Sequence, residues 1–157
     1  MQTTVFFDEL SVSYPDEFHV MDQKELERFF GSDQDKHAII NPHEHMMLSF
    51  FKTKPSFLAR LTDAPSVANG WHLRFQKRLP EYQRTGQYTA TLCGREAHGF
   101  SFEFKAVDKD IMQSGSLLVF KQKKYFYLVL YYGWKERNNI SLPIRNAIQE
   151  AMCLTTD

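Results

Sequence analysis

"KYFYLVLYYGW", residues 124–134, decides the fold. Successive side chains of a strand point to opposite faces. Tyr125, Tyr127, Val129 and Tyr131 therefore share one face, and Phe126, Leu128, Leu130 and Tyr132 share the other. Both sets are apolar, which marks a central strand covered on both sides. The first set carries hydroxyl tips, and a buried tyrosine needs a partner for its hydroxyl. Two readings stay open. Either a helix covers the tyrosine face, or part of it is an aromatic surface open to a peptide or another subunit.

The neighbouring segments read as strands too. "QYTATLC", "AHGFSFEFKAV" and "GSLLVFKQ" precede it, rich in β-branched and aromatic residues. Within "TLCGREAHGFSFEF", residues 91–104, a loop at Gly94-Arg95-Glu96 aligns the apolar sets. Leu92 then faces His98, Ala90 faces Phe100 and Tyr88 faces Phe102. A two-residue turn would pair Phe100 with Thr89, unless a bulge at Gly99 resets the register. In the favoured register Cys93 and His98 point to opposite faces, so a thiol nucleophile and its base do not meet.

The first half is mixed. "TVFFDELSVSYP" reads as two short strands around Asp8-Glu9, and "EFHVM" as a third extended piece. In "MDQKELERFFG", Asp22 and Glu25 form a capping-box pattern, with Met21 and Leu26 at the staple positions. Leu26, Phe29 and Phe30 form its buried stripe, and Gly31 suits the left-handed position after the helix. "KHAIINP" and "HMMLSFFKTK" are strands joined at residues 41–44. "SFLARLT" suits a helical turn. Val67, Trp71, Phe75 and Leu79 recur every four residues, an amphipathic helix that contains Gly70 and ends at Pro80. "SLPIRNAIQEAM" gives a last helix, with Ser141 as N-cap and Ile144, Ile148, Ala151 and Met152 as its stripe. The expected fold is α+β: a central, mainly antiparallel sheet flanked by helices, an α/β/α sandwich in a single domain, 1–157.

Composition narrows the function. Lys plus Arg and Asp plus Glu are both 19 in 157 residues. Such a chain has no global field to attract nucleic acid, and its neutrality is compatible with a homodimer. The longest apolar run, "YFYLVLYY", is far too short to span a membrane. With no basic, apolar leader at the N-terminus, and only Cys93 and Cys153, the expectation is a reduced, cytoplasmic protein. Phe is abundant at 14 residues, which means an aromatic core or an aromatic surface awaiting a partner.

The chemical candidates each have a plain alternative. His43 and His45 share a strand face, but metal sites need three or four ligands, so a polar turn is the simpler reading. Asp108 and Asp110 read as turn residues. The basic residues of helix 67–79, with Lys121, Lys123 and Lys124, read as solvated faces. There is no G-x-S-x-G and no phosphate-binding glycine loop. No metal and no cofactor is expected.

The order of "LSVSYPDEFHVMD", "MMLSFF", "CGREAHGFSFEF", "YFYLVLYY" and "SLPIRNAI" resembles the PsbP-like fold. A photosystem accessory protein, a Ran-binding nuclear import factor and many small bacterial proteins share that fold. The resemblance implies a sheet between helical layers and mostly non-enzymatic members. One bacterial branch, short and without a signal, consists of adaptor chaperones. They shield apolar N-terminal segments of secretion-system effectors, usually as dimers. The reading is therefore a non-catalytic protein-binding adaptor that buries a partner's apolar segment on an aromatic sheet face. Tyr127 and Tyr131 are the expected anchors, with Phe51 and Ser101 beside them. The competing classes are an inhibitor-type interaction protein and a small hydrolase or transferase. The enzyme would need a pocket where His98, His72 or His45 meets an acid or nucleophile.

Overall fold

The computed structural model describes residues 1–30, 36–106 and 110–155, with Leu58 described by its backbone alone. Two strands, β1 (Gln2–Phe6) and β2 (Leu10–Tyr14), form an opening hairpin. A short β3 (His19–Val20) leads to α1 (Gln23–Phe30). Next come β4 (Lys36–Asn41), β5 (Met46–Lys52), a 3-10 turn (Phe57–Arg60) and α2 (Ala64–Arg78). Then β6 (Gln83–Leu92), β7 (Arg95–Lys105), β8 (Met112–Gln122) and β9 (Tyr125–Trp134) run back and forth. A second 3-10 turn (Lys135–Arg137), α3 (Asn138–Ala151) and β10 (Cys153–Leu154) follow.

The main sheet is antiparallel throughout, in the order β3-β4-β5-β9-β8-β7-β6. The strand read as central, β9, lies in its middle, with residues 126–131 buried on both faces. On one face, α2 covers Phe51, Phe100, Phe102, Leu117 and Leu128. On the other, Leu48, Phe50, Tyr127, Val129 and Tyr131 lie under α3 and a second small sheet, β1-β2-β10. The tyrosine face is therefore covered, and the cover is a β-hairpin as much as a helix. Each large side chain so buried contributes about 1.5–3 kcal/mol relative to leaving it in water.

Local expectations hold unevenly. The α1 capping box is present: the Glu25 N–H donates to Asp22 Oδ1 at 2.9 Å and the Asp22 N–H to Glu25 Oε1 at 3.2 Å. Its stripe is not buried. Leu26 and Phe30 are only half-buried, and Phe29 is 54 % exposed. The reason is position, since α1 packs beside β4, towards the sheet's margin, and not over its centre. Helix α3 begins before Ser141, whose hydroxyl donates back to the Arg137 carbonyl at 2.8 Å. Ile148 and Met152 are buried as expected, but Ala151 is exposed. Gly31 and Asp108 lie outside the described residues.

The β6–β7 register differs from the favoured one. The turn is Cys93-Gly94, both with positive φ (+54° and +73°), the backbone of a two-residue I′ hairpin. Leu92 pairs with Arg95, Ala90 with Ala97, Thr89 with His98 and Gln87 with Phe100. The irregularity lies between Arg84 and Gly86, not at Gly99. Aligning the two apolar sets presupposed one buried face. Here both are covered, so Leu92 and Ala97 belong to the α3 layer and the phenylalanines to the α2 layer.

Candidate functional site: an aromatic cleft under a basic rim

The four residues singled out from the sequence do not gather at one site. Tyr127 and Tyr131 are fully buried at 0 % exposure, which corrects their expected place on an open surface. The opening hairpin and α3 occupy the space a partner would need. Ser101 stands in a cross-sheet row with Ser116, Tyr131 and Leu48, and its hydroxyl accepts from Thr85 Oγ1 at 2.9 Å. Phe51 pairs with Leu128 on the opposite face, under α2.

Around Phe51 the chain builds a different feature. β5 delivers Phe51 and Lys52 to the end of the sheet, and residues 53–56 leave it without regular structure. Asp63 caps α2, accepting from the Ser66 N–H at 2.9 Å, and the helix then aims Trp71 at Phe51 with ring centres 5.9 Å apart. Arg74, three residues on, lies over the Trp71 ring at 4.8 Å. Lys36, opposite Phe51 at the start of β4, holds its ammonium 5.4 Å from both the Phe30 and Phe51 rings. The result is a cleft of about 240 Å³ floored by Phe51, Trp71 and Leu128. Its rim is Lys36, Lys52, Lys54 and Arg74, and among the described residues no carboxylate lines it.

Behind the cleft the rim is tied to the core. Lys52 Nζ lies 3.6 Å from Glu9 Oε2 and 4.3 Å over the Tyr125 ring. The Tyr125 and Tyr127 hydroxyls both donate to that same Glu9 oxygen. Burial, then the Glu9 carboxylate, pushes the Tyr125 phenol up to about 12 and drives Tyr127 higher still. Both phenols stay protonated donors, which makes this cluster a fastening between the hairpin turn and β9.

The histidines are scattered. His45 stacks flat on Trp134 at 3.4 Å, and His43 Nε2 lies 3.9 Å from Glu44. His72 Nδ1 shares a hydrogen bond with the Tyr82 hydroxyl at 2.8 Å, and burial lowers its pKa. His98 Nε2 meets Glu96 Oε1 at 3.0 Å, beside a groove it shares with Thr89 and Phe100. Across from His98 stands Thr89, not Cys93. Among the described residues no group of three or more potential ligands could hold a metal. None of their helices is long and apolar enough to cross a membrane.

Trp71 was legible as one of the apolar stripe on its helix. Its place beneath a basic rim was not, because Lys36, Lys54 and Arg74 come from three separate segments.

Compared by sequence, the chain matches no protein-family model and no curated protein. Compared by structure, it is similar to the cyanobacterial PsbP protein CyanoP of Synechocystis sp. PCC 6803. The two share 12 % identity over 98 % of this chain and 91 % of that one, with a TM-score of 0.64. The fold is PsbP-like. The PsbP-like arrangement extends to PA94 of Pseudomonas aeruginosa, at 12 % identity over 95 % and 94 % of the two chains and a TM-score of 0.50. A Bacteroides thetaiotaomicron protein matches with 9 % identity and a TM-score of 0.51, over 80 % of this chain and 38 % of that one. At such identities the likeness is one of fold.

Proposed function

We propose that the protein is a non-catalytic binding module that seats a protein segment in the cleft between α2 and the end of β5. The observation that carries this is the pairing of Phe51 and Trp71 beneath a rim of Lys36, Lys54 and Arg74. An aromatic floor takes apolar side chains, and Trp and Arg are among the residue types enriched at binding hot spots. A rim of one sign selects a partner of the other. The segment that fits is extended and acidic, with an apolar residue to lay on Trp71. Phe30, edge-on to Phe51 with ring centres 6.2 Å apart, extends the apolar margin.

The finer form of this reading is an adaptor that shields an apolar stretch of a secreted effector. Its support is the resemblance to short bacterial adaptors and the aromatic, cation-rimmed cleft. A cytoplasmic setting accords with two free cysteines, Cys93 and Cys153.

The test is a binding titration with two synthetic peptides of equal length. Both carry leucine and phenylalanine, interleaved with glutamate in one and with lysine in the other. The glutamate peptide binds and the lysine peptide does not. Arg74→Glu weakens the first by about tenfold, the scale of a lost interfacial ion pair. Equal binding of both peptides contradicts the proposal.

A further inference from the structure

Strand β6 borders the main sheet, and among the described residues nothing pairs with its outer side. Residues 85–92, "TGQYTATL", carry no charge and no proline. Natural sheets blunt their free edges with lysine, proline or bulges, because an open edge templates another strand. The one irregularity here lies near the beginning of the strand, between Arg84 and Gly86. Beyond it the strand runs regularly from Gly86 to Leu92.

Charge sits at both ends of this neutral run, on one face. Arg84 is exposed and lies across from Phe102, and it lines the same groove as Gln87, Thr89 and His98. Glu96 is exposed and pairs with Thr91, at the other end of that face. Opposite charges at opposite ends make the edge self-complementary when two copies run antiparallel. A parallel arrangement would set Arg84 beside Arg84.

We infer that a second copy of this chain docks on β6, antiparallel, with the two-fold axis at Tyr88. The two sheets then continue into one. In this register Gln87 lies opposite the partner's Thr89, and Arg84 opposite the partner's Thr91. The bulge supplies the one-residue offset that keeps Arg84 on the face of the partner's Thr91. Glu96 of the partner subunit is then in line with Arg84, two strand spacings or about 10 Å away between backbones. An arginine and a glutamate bridge that span, and symmetry makes the pair twice. The balanced net charge leaves no long-range repulsion to oppose the approach.

Sedimentation velocity on the full chain over a range of concentrations tests this, with circular dichroism confirming that each variant folds. The wild-type chain reaches a dimer mass. Arg84→Glu and Glu96→Arg, both at exposed positions, each weaken the dimer by about tenfold, and combining them restores it. A wild-type chain that stays monomeric at high concentration overturns the inference. So does a dimer indifferent to both reversals.

Discussion

Tyr127 donates its buried hydroxyl to Glu9 Oε2 at 2.5 Å, joining the central strand to the turn of the opening hairpin. The donor is fully buried and the acceptor 7 % exposed. Tyr125 shares the acceptor and Lys52 stands beside it, so the carboxylate is enclosed by donors and a cation. A charge this buried persists only when its oxygens are satisfied.

Removing one donor leaves the carboxylate short. Tyr127→Phe is expected to cost about 1–3 kcal/mol in urea unfolding. Tyr127→Ala, which also empties core volume, should cost about 3–5 kcal/mol. The double variant Tyr127→Ala with Tyr131→Ala should fail to fold cooperatively. A folded double variant that merely loses a binding partner would return these tyrosines to the surface role.

Gly99 lies between β6 and β8, opposite Tyr88 and Leu118. A Cβ there collides with the Leu117 carbonyl oxygen, which is backbone and has nowhere to go. Gly99→Ala is expected to destabilise by about 3 kcal/mol, the upper end for overpacking. Gly70→Ala, with open space around its Cβ, should be neutral or stabilising by up to about 1 kcal/mol. Thermal unfolding of the two variants side by side reads the contrast.

Burial, and secondarily Arg84, holds the His72 pKa below its ordinary 6.5. The unfolded chain therefore takes up this proton before the folded chain does. The stability it contributes is complete above the ordinary histidine range and is lost as pH falls through the lowered value. His72→Phe should flatten that part of the acid limb in denaturant midpoints. An unchanged slope would mean that His72 titrates alike in both states.

Much of this architecture was legible. The alternation in 124–134 placed β9 at the centre, and Asp22 with Glu25 marked α1. What covers the tyrosine face was not legible, because residues 1–14 and 138–154 supply it from the two ends of the chain. Local alternation shows that a face is apolar, not which distant segment claims it. The β6–β7 turn misled for a related reason: with both faces buried, hydrophobic pattern alone does not fix register. Phe51 was expected beside the tyrosines, yet Lys52, not Phe51, stands opposite Tyr127, and Phe51 faces the other layer. Arg74 was read as part of a solvated basic face, because Lys36 and Lys54, which complete the rim with it, come from distant segments.

A segment seated in the proposed cleft would lie on the Trp71 ring, so Trp71 can report on binding directly. In a Trp134→Phe background, Trp71 is the sole tryptophan. Its emission should shift saturably as the glutamate–leucine–phenylalanine peptide is added, with the apparent affinity falling as salt rises. The same titration in Arg74→Glu should need about tenfold more peptide. A Trp71 signal that stays flat while the peptide binds elsewhere would rule out this cleft as the binding site.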